Sequence, residues 1–259
     1  MAQTLSNPDT DGLNSRSFSV RRLVSQRCLM CGGKSGQQAV CPACDSELPR
    51  LAGPLCRQCA TPIPDGRLCG ACLATPPKFD RLVAAFEYAF PIDALIHALK
   101  YGGRLVVARL LANALGPLVD EKVDLIVPMP LSDARLRERG FNQAHEIARH
   151  IGRARRLKVV TTLCRRVMDT PPQAMLPWKE RAGNVRGAFV CTTDLDGIRI
   201  AVVDDVATTC ATLNELSRVL KRAGASRVHG WIPARALKHA GVPNQPGREL
   251  QAPQSTMGA

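Results

Sequence analysis

The chain has 259 residues, of which 45% are hydrophobic and 22% charged, with a net charge of +13. That apolar content excludes global disorder, and no apolar run approaches the roughly 18 residues a membrane helix needs, so membrane insertion is not expected. Over residues 122–238, 21 Lys and Arg face 11 Asp and Glu; such a field favours nucleic acid, nucleotides or pyrophosphates, or serves as a soluble basic surface.

Residues 1–27 are polar and Ser/Asn/Asp-rich, without the apolar core of a secretory signal, so a disordered lead and a cytoplasmic location are expected. Residues 28–75 carry Cys28/Cys31, Cys41/Cys44, Cys56/Cys59 and Cys69/Cys72, and each cysteine of the first four recurs 28 positions later. Two CxxC knuckles complete one tetrahedral Cys₄ shell, so the repeat predicts two zinc ribbons and about two structural Zn²⁺. Pairing within each repeat is the simpler arrangement; interleaved pairing is open on spacing alone. A disulfide framework would need an oxidising compartment and leaves an odd cysteine among eleven. The segment has little apolar periodicity, so metal replaces a core there, and its loss should unfold this module alone.

After a linker around 73–80, a domain over residues 80–237 is expected, followed by a disordered tail over 238–259. Leu82–Tyr88 reads as a strand, and Pro91–Tyr101 and about 104–119 as helices. Val123–Val127 is a short apolar run ended by Pro128-Met129-Pro130, as for a buried strand. Asn142–Arg155 is helical, and Val159–Leu163 and Gly187–Val190 are candidate strands. Ile198–Val203 is the clearest buried strand, Thr209–Ala223 a helix, and Val228–Ile232 a last strand. Strands alternating with helices predict an α/β fold with a mainly parallel sheet, whose ligands bind at the carboxyl ends of strands, here just after Val127 and Val203.

The run after Val203 is the most informative. Asp204 and Asp205 precede Val206, Ala207, Thr208, Thr209, Cys210, Ala211 and Thr212. N–H groups at a helix start and Thr hydroxyls bind a phosphate; two carboxylates would repel it and should face sugar hydroxyls or a metal. A simple helix cap needs one such residue, not two acids and three threonines. Among the remaining candidates, His97 reads as structural, His145 as a neighbour of the site, and Cys164 and Cys191, with no partner spacing, as ordinary small side chains.

This run resembles the binding motif for 5-phosphoribosyl 1-pyrophosphate (PRPP) in type I phosphoribosyltransferases. The resemblance implies that Asp204 and Asp205 hold the ribose 2′- and 3′-hydroxyls, that Ala207, Thr208, Thr209, Cys210, Ala211 and Thr212 hold the 5′-phosphate, and that Mg²⁺ accompanies PRPP. Cys210 stands where that family has glycine. A helix N-terminus would lower its thiol pKa, and a bound phosphate would raise it.

Further stretches, Lys100-Tyr101-Gly102-Gly103, Asp124 to Leu131, Arg139-Gly140-Phe141-Asn142-Gln143-Ala144, and Gln173, Arg181 and Asn184 with Gly187-Ala188-Phe189, resemble the ComF family. That resemblance implies a zinc ribbon joined to a phosphoribosyltransferase-like domain and a link to DNA uptake during competence. If the domain is active, it is a glycosyltransferase of the pentosyl class. The loop after the first core strand meets pyrophosphate in phosphoribosyltransferases, so Arg135, Arg137 and above all Arg139 are candidate pyrophosphate ligands, a task bidentate arginine suits. Expected partners are PRPP or another sugar phosphate, and single-stranded DNA or the competence machinery. The alternative is a non-enzymatic DNA-binding factor that uses the ribbons and basic residues such as Arg149, Arg153, Arg155, Arg156 and Lys158. An aromatic content of 4% argues against a base-stacking platform.

Overall fold

A computed structural model describes residues 26–168 and 185–237. The cysteine segment contains β1 (Gln26–Arg27), β2 (Lys34–Gly36), α1 (Pro42–Ser46) and α2 (Gly70–Ala74). There follow β3 (Arg81–Val83), β4 (Phe86–Glu87), α3 (Ile92–Gly102), α4 (Val106–Leu115), β5 (Leu125–Pro128), α5 (Asp133–Arg139), α6 (Gln143–Arg155) and β6 (Lys158–Val159). The last elements are β7 (Cys164–Arg166), β8 (Phe189–Cys191), β9 (Arg199–Val203), β10 (Val206–Ala207), α7 (Ala211–Arg222), β11 (Arg227–Trp231) and β12 (Ala234–Arg235).

The central sheet has the order β3-β11-β9-β5-β6, with every pairing parallel. Its central strand β9 is buried and apolar from Ile200 to Val203, as expected where both faces of the sheet are covered. Along β9, Ala201 and Val203 join the core beneath α3, α4 and α6, while Ile200 and Val202 join the core beneath α7. The chain leaves β5 through α6 towards β6, and leaves β9 through α7 towards β11, on opposite sides. The order therefore reverses between β5 and β9, where an open α/β sheet forms its ligand crevice. Pro128 pairs with Val203 across that point, and the Met129 N–H donates to the Val203 carbonyl at 2.8 Å.

The strand expected over Leu82–Tyr88 is divided in two, and the same break runs across three strands. Ala84-Ala85, Asp204-Asp205 and Ile232-Pro233 separate β3, β9 and β11 from β4, β10 and β12, which form a second small parallel sheet. Pro233 has no N–H to continue the ladder, and its carbonyl accepts from both Ala85 and Phe86 at 3.0 and 2.9 Å. The acidic pair thus sits on a kink rather than at a plain strand end.

Other expectations shift locally. The strand expected over Val159–Leu163 shrinks to β6, and the run before Gly140, expected as a loop, is helix α5. The Ser132 hydroxyl caps α5 by accepting from the Arg135 N–H at 3.4 Å, and Gly140, at φ +74°, closes it. Cys164 and Cys191, which lack partner spacing in the sequence, are direct cross-strand partners in β7 and β8.

The cysteine module is not the independent unit expected. It covers the sheet edge left open by β3 and β4: Leu82 donates to Gln58 O, Leu51 to Ala85 O and Glu87 to Pro49 O, each at 2.8–2.9 Å. Its first repeat contributes Cys28, Val40 and Leu48 to the core that holds Phe86 and Ile96. Its second contributes Cys56, Cys59 and Cys72 to the core that holds Phe79 and Leu82. Both cores cross the module boundary, so stripping the metal should lower the melting temperature of residues 82–236 as well as those of the module. Calorimetry of chelated protein checks this; an unchanged transition for the sheet would contradict it.

Candidate functional site

The eight knuckle cysteines form two sets, Cys28, Cys31, Cys41, Cys44 and Cys56, Cys59, Cys69, Cys72, with ligand atoms in each set within 4.8 Å of one another. Pairing is therefore internal to each repeat. The Sγ atoms of Cys31 and Cys41 are 3.8 Å apart and those of Cys59 and Cys69 3.6 Å. A tetrahedral ion with Zn–S bonds near 2.3 Å places its sulfurs about 3.8 Å apart. The repeats superpose in chemistry too: the Cys41 N–H donates to Cys28 Sγ and the Cys69 N–H to Cys56 Sγ, both at 3.3 Å. Burial pushes the Cys28 thiol up, yet N–H groups of Cys31, Cys41 and Met30 hold it at about 6. The same balance, with N–H groups of Cys69, Cys59 and Gln58, holds Cys56 at about 7. Four thiols per shell leave no open position, so both sites are structural.

At the crevice the acidic pair divides. Asp205 is buried and its Oδ2 lies 2.6 Å from Lys100 Nζ, with side chains 5% and 20% exposed. Burial pulls the Lys100 ammonium down and the Asp205 carboxylate outweighs it, so its net shift is upward. Asp204 is half-buried, accepts from the Asp205 N–H at 2.9 Å, and lines a small pocket with Ala207, Thr208, Cys210, Ala211 and Thr212. Burial and the adjacent Asp205 push its carboxyl up to about 8. Asp205 therefore answers an internal lysine, and Asp204 is the acid left facing the pocket.

Neighbouring residues of α3 hold both sides of the crevice. Lys100 takes Asp205; Tyr101, which is 59% exposed, accepts at Oη from Arg139 Nη2 at 3.3 Å, and its ring lies 5.0 Å from the guanidinium. Gly103, at φ +60°, ends the helix just beyond them. Arg139 Nη1 donates to Gln143 Oε1 at 3.1 Å, and its buried Nε has no protein partner among the described residues. Asn142 caps α6 through Ala144 and His145 and donates to Met129 O at 3.0 Å, which ties the helix to the end of β5. The Arg139–Ala144 run is thus a frame for one arginine. In α5, Arg135 and Arg139 are four apart and share a face, whereas Arg137 is exposed on another. His97 is exposed and its ring meets that of Tyr101 at a tilt, with centroids 4.6 Å apart, rather than entering the core. Gly187 donates to Glu215 Oε1 at 2.8 Å, anchoring its segment on α7; Gln173, Arg181 and Asn184 lie outside the described residues.

Cys210 occupies the glycine position with φ +61°, a left-handed backbone. Its side chain packs with the core of the second cysteine shell. Burial pushes its thiol up to about 11, so the thiol is neutral and the helix terminus does not ionise it.

Comparison with known proteins decides the family. The double zinc ribbon domain family matches residues 20–73. The DNA utilization protein YhgH of Escherichia coli K12 is 33% identical over 213 residues, 78% of this chain and 92% of that one. Competence protein F of Haemophilus influenzae is 30% identical over 224 residues, 81% and 97% of the two chains. The chain belongs to the ComF family. The ComF protein ComFC of Bacillus subtilis is 24% identical over 220 residues, 76% and 89% of the two chains. Among solved structures, the glutamine PRPP amidotransferase of Bacillus subtilis aligns with a TM-score of 0.35 and 18% identity, over 48% of this chain and 25% of that one. That overlap is partial, and the fold stands on its own strand order.

Two predictions follow from the divided acids. The folded Asp204 value of about 8 lies above an ordinary carboxylate near 3.9, so between these values the native state keeps a proton that the unfolded chain releases. Stability is then lost as pH rises through that window. Asp204→Asn should raise the melting temperature relative to the parent at about pH 8, with the gain vanishing near pH 4; a gain independent of pH would contradict this. Lys100→Met strands a buried carboxylate and should cost about 3 kcal/mol or more in urea unfolding, while Lys100→Met with Asp205→Leu recovers part of the loss. Simple addition of the two single effects would show that the pair is not coupled.

Proposed function

We propose that this ComF-family protein binds PRPP or a related sugar phosphate in the crevice between β5 and β9, in the service of the DNA uptake or utilisation named for its relatives. The observation that carries the reading is the small pocket where Asp204 meets Ala207, Thr208, Cys210, Ala211 and Thr212 beyond the carboxyl end of β9. Asp204 takes the ribose hydroxyls, and N–H and hydroxyl groups of Ala207–Thr212 take the 5′-phosphate. Arg139, held by Gln143 and Tyr101, takes the pyrophosphate through the remaining donors of its guanidinium. Asp205, which the motif pairs with Asp204, is taken by Lys100 and serves the site by holding α3 against the end of β9.

Only the two thiol sets bring three or more metal-binding side chains together among the described residues. Mg²⁺ would therefore arrive with the pyrophosphate and meet at most the Asp204 carboxylate, as this ion commonly does in phosphate sites. Bound there, it would neutralise charge on the leaving pyrophosphate if an acceptor attacks C1.

A second reading, a DNA-binding factor, draws on exposed Arg153, Arg156 and Lys158 at the end of α6. Two other cations of that surface are engaged internally: Arg149 with Glu146 at 2.8 Å and Arg155 with Gly116 O at 3.3 Å. No helix of the described residues is long and apolar enough to cross a membrane.

Calorimetric titration of the full chain with PRPP and Mg²⁺ tests the first reading. The parent should show saturable heat, and Asp204→Asn and Arg139→Ala should each weaken binding about tenfold, as loss of a hydrogen bond to the ligand does. Absence of heat and of any thermal shift in the parent removes the reading. The second reading expects anisotropy-detected single-strand binding that weakens steeply with salt.

A further inference from the structure

Arg235, in β12, is 7% exposed and forms no ion pair among the described residues. Its guanidinium is instead surrounded by oxygens from two distant parts of the chain. On one side Nε donates to the Cys59 carbonyl at 2.9 Å, and Nη2 donates to Thr61 Oγ1 at 3.3 Å. That hydroxyl is itself 3.2 Å from Cys59 Sγ. On the other side Nη1 donates to the carbonyls of Ala207 at 3.0 Å and Ala236 at 2.8 Å, and to the carbonyl of Thr208. One buried cation, 176 residues along the chain from Cys59, therefore bridges a knuckle of the second cysteine shell and the loop after β10.

The peptide geometry gives the bridge a consequence. In a trans peptide unit C=O and N–H point in opposite directions. With the Ala207 and Thr208 carbonyls turned to the guanidinium, the N–H groups of Thr208 and Thr209 are turned away from it. Among the described residues, the N–H groups of Thr208, Thr209 and Cys210 donate to no protein group. Such outward N–H groups before a helix are the donors a phosphate uses. Arg235 thus holds the loop from beneath in the orientation that presents them. A filled Cys₄ zinc shell is anionic, and it supplies, through the Cys59–Thr61 side, the negative charge that a buried guanidinium without a carboxylate lacks.

We infer that the second cysteine shell sets the geometry of the phosphate loop, with Arg235 as the positioning residue that couples metal at Cys56, Cys59, Cys69 and Cys72 to sugar-phosphate affinity. The first shell takes no part: Arg235 bonds to none of its residues, and the first repeat packs into the other core. The coupling to ligand rests on the reading of residues 207–212 as a phosphate loop; the coupling to loop order does not.

The test uses the full chain, with hydrogen–deuterium exchange of residues 207–212 and PRPP calorimetry as parallel readouts. Cys69→Ser, in the second shell, should speed loop exchange and weaken PRPP binding about tenfold or more, the scale on which outer-shell partners act. Cys41→Ser, in the first shell, should leave loop exchange as in the parent. Thr61→Val keeps both shells and removes one acceptor of Arg235; it should speed loop exchange with zinc content unchanged, which guards against a Cys69→Ser chain that merely unfolds. Linkage requires the converse: saturating PRPP should raise the zinc affinity of the second shell, and not the first, in chelator competition. Loop exchange at the parent level in both Cys69→Ser and Thr61→Val overturns the inference, as does equal loosening by Cys41→Ser. A parent that binds no PRPP overturns the loop's assignment, and the exchange comparison then decides the coupling by itself.

Discussion

The 2.6 Å pair between Lys100 and Asp205 is the constraint around which the crevice is organised. A lysine on α3 and an aspartate at the kink after β9 are each too buried to stand alone, and each makes the other tolerable. The pair fixes α3 against the end of β9, which brings the next residue, Tyr101, to Arg139 at the end of α5. Three motifs far apart in the chain become one wall of the site through two adjacent side chains. The same pair removes Asp205 from the pocket and leaves Asp204 with a raised pKa beside it. A half-buried carboxyl that is costly to ionise, facing a loop of donors, gains little for the fold and much for a ligand.

The zinc ribbons follow the same logic of shared surfaces. A parallel sheet with an open edge at β3 and β4 exposes backbone groups and two apolar faces. The repeat covers all three: its backbone pairs with the edge, one half packs into each core, and the second half reaches the loop after β10 through Arg235. The duplication of the knuckle thus matches the two-sidedness of the sheet. Metal here replaces the apolar core that so short a segment lacks, and the domain lends it the rest.

Much of this was legible in the residues. β5 and β9 stood out as short apolar runs ended by proline and by acids, and the helices by their 3.6-residue spacing. The knuckle spacing predicted the metal shells, and internal pairing became certain only when the thiols were seen together. Helix α5 was missed because a run of alternating arginines beside prolines looks like a loop, although Ser132 and Gly140 were its cap signals. β10 and β12 were missed because two-residue strands carry no periodicity. Cys210 was expected to feel a helix terminus, whereas burial dominates its pKa.

By itself the sequence determined which chemistry is present: eight thiols at ribbon spacing, an acid pair running into a threonine-rich helix start, and an arginine framed by Gly140, Asn142 and Gln143. These depend on local spacing, which the chain encodes directly. Tertiary structure alone decided how that chemistry is shared out. Which acid meets Lys100, which arginine of α5 faces Tyr101, and which cysteine shell lies behind the loop after β10 all depend on contacts between residues tens to hundreds of positions apart. Packing of strands and helices brings those residues together, and no local pattern specifies the pairs.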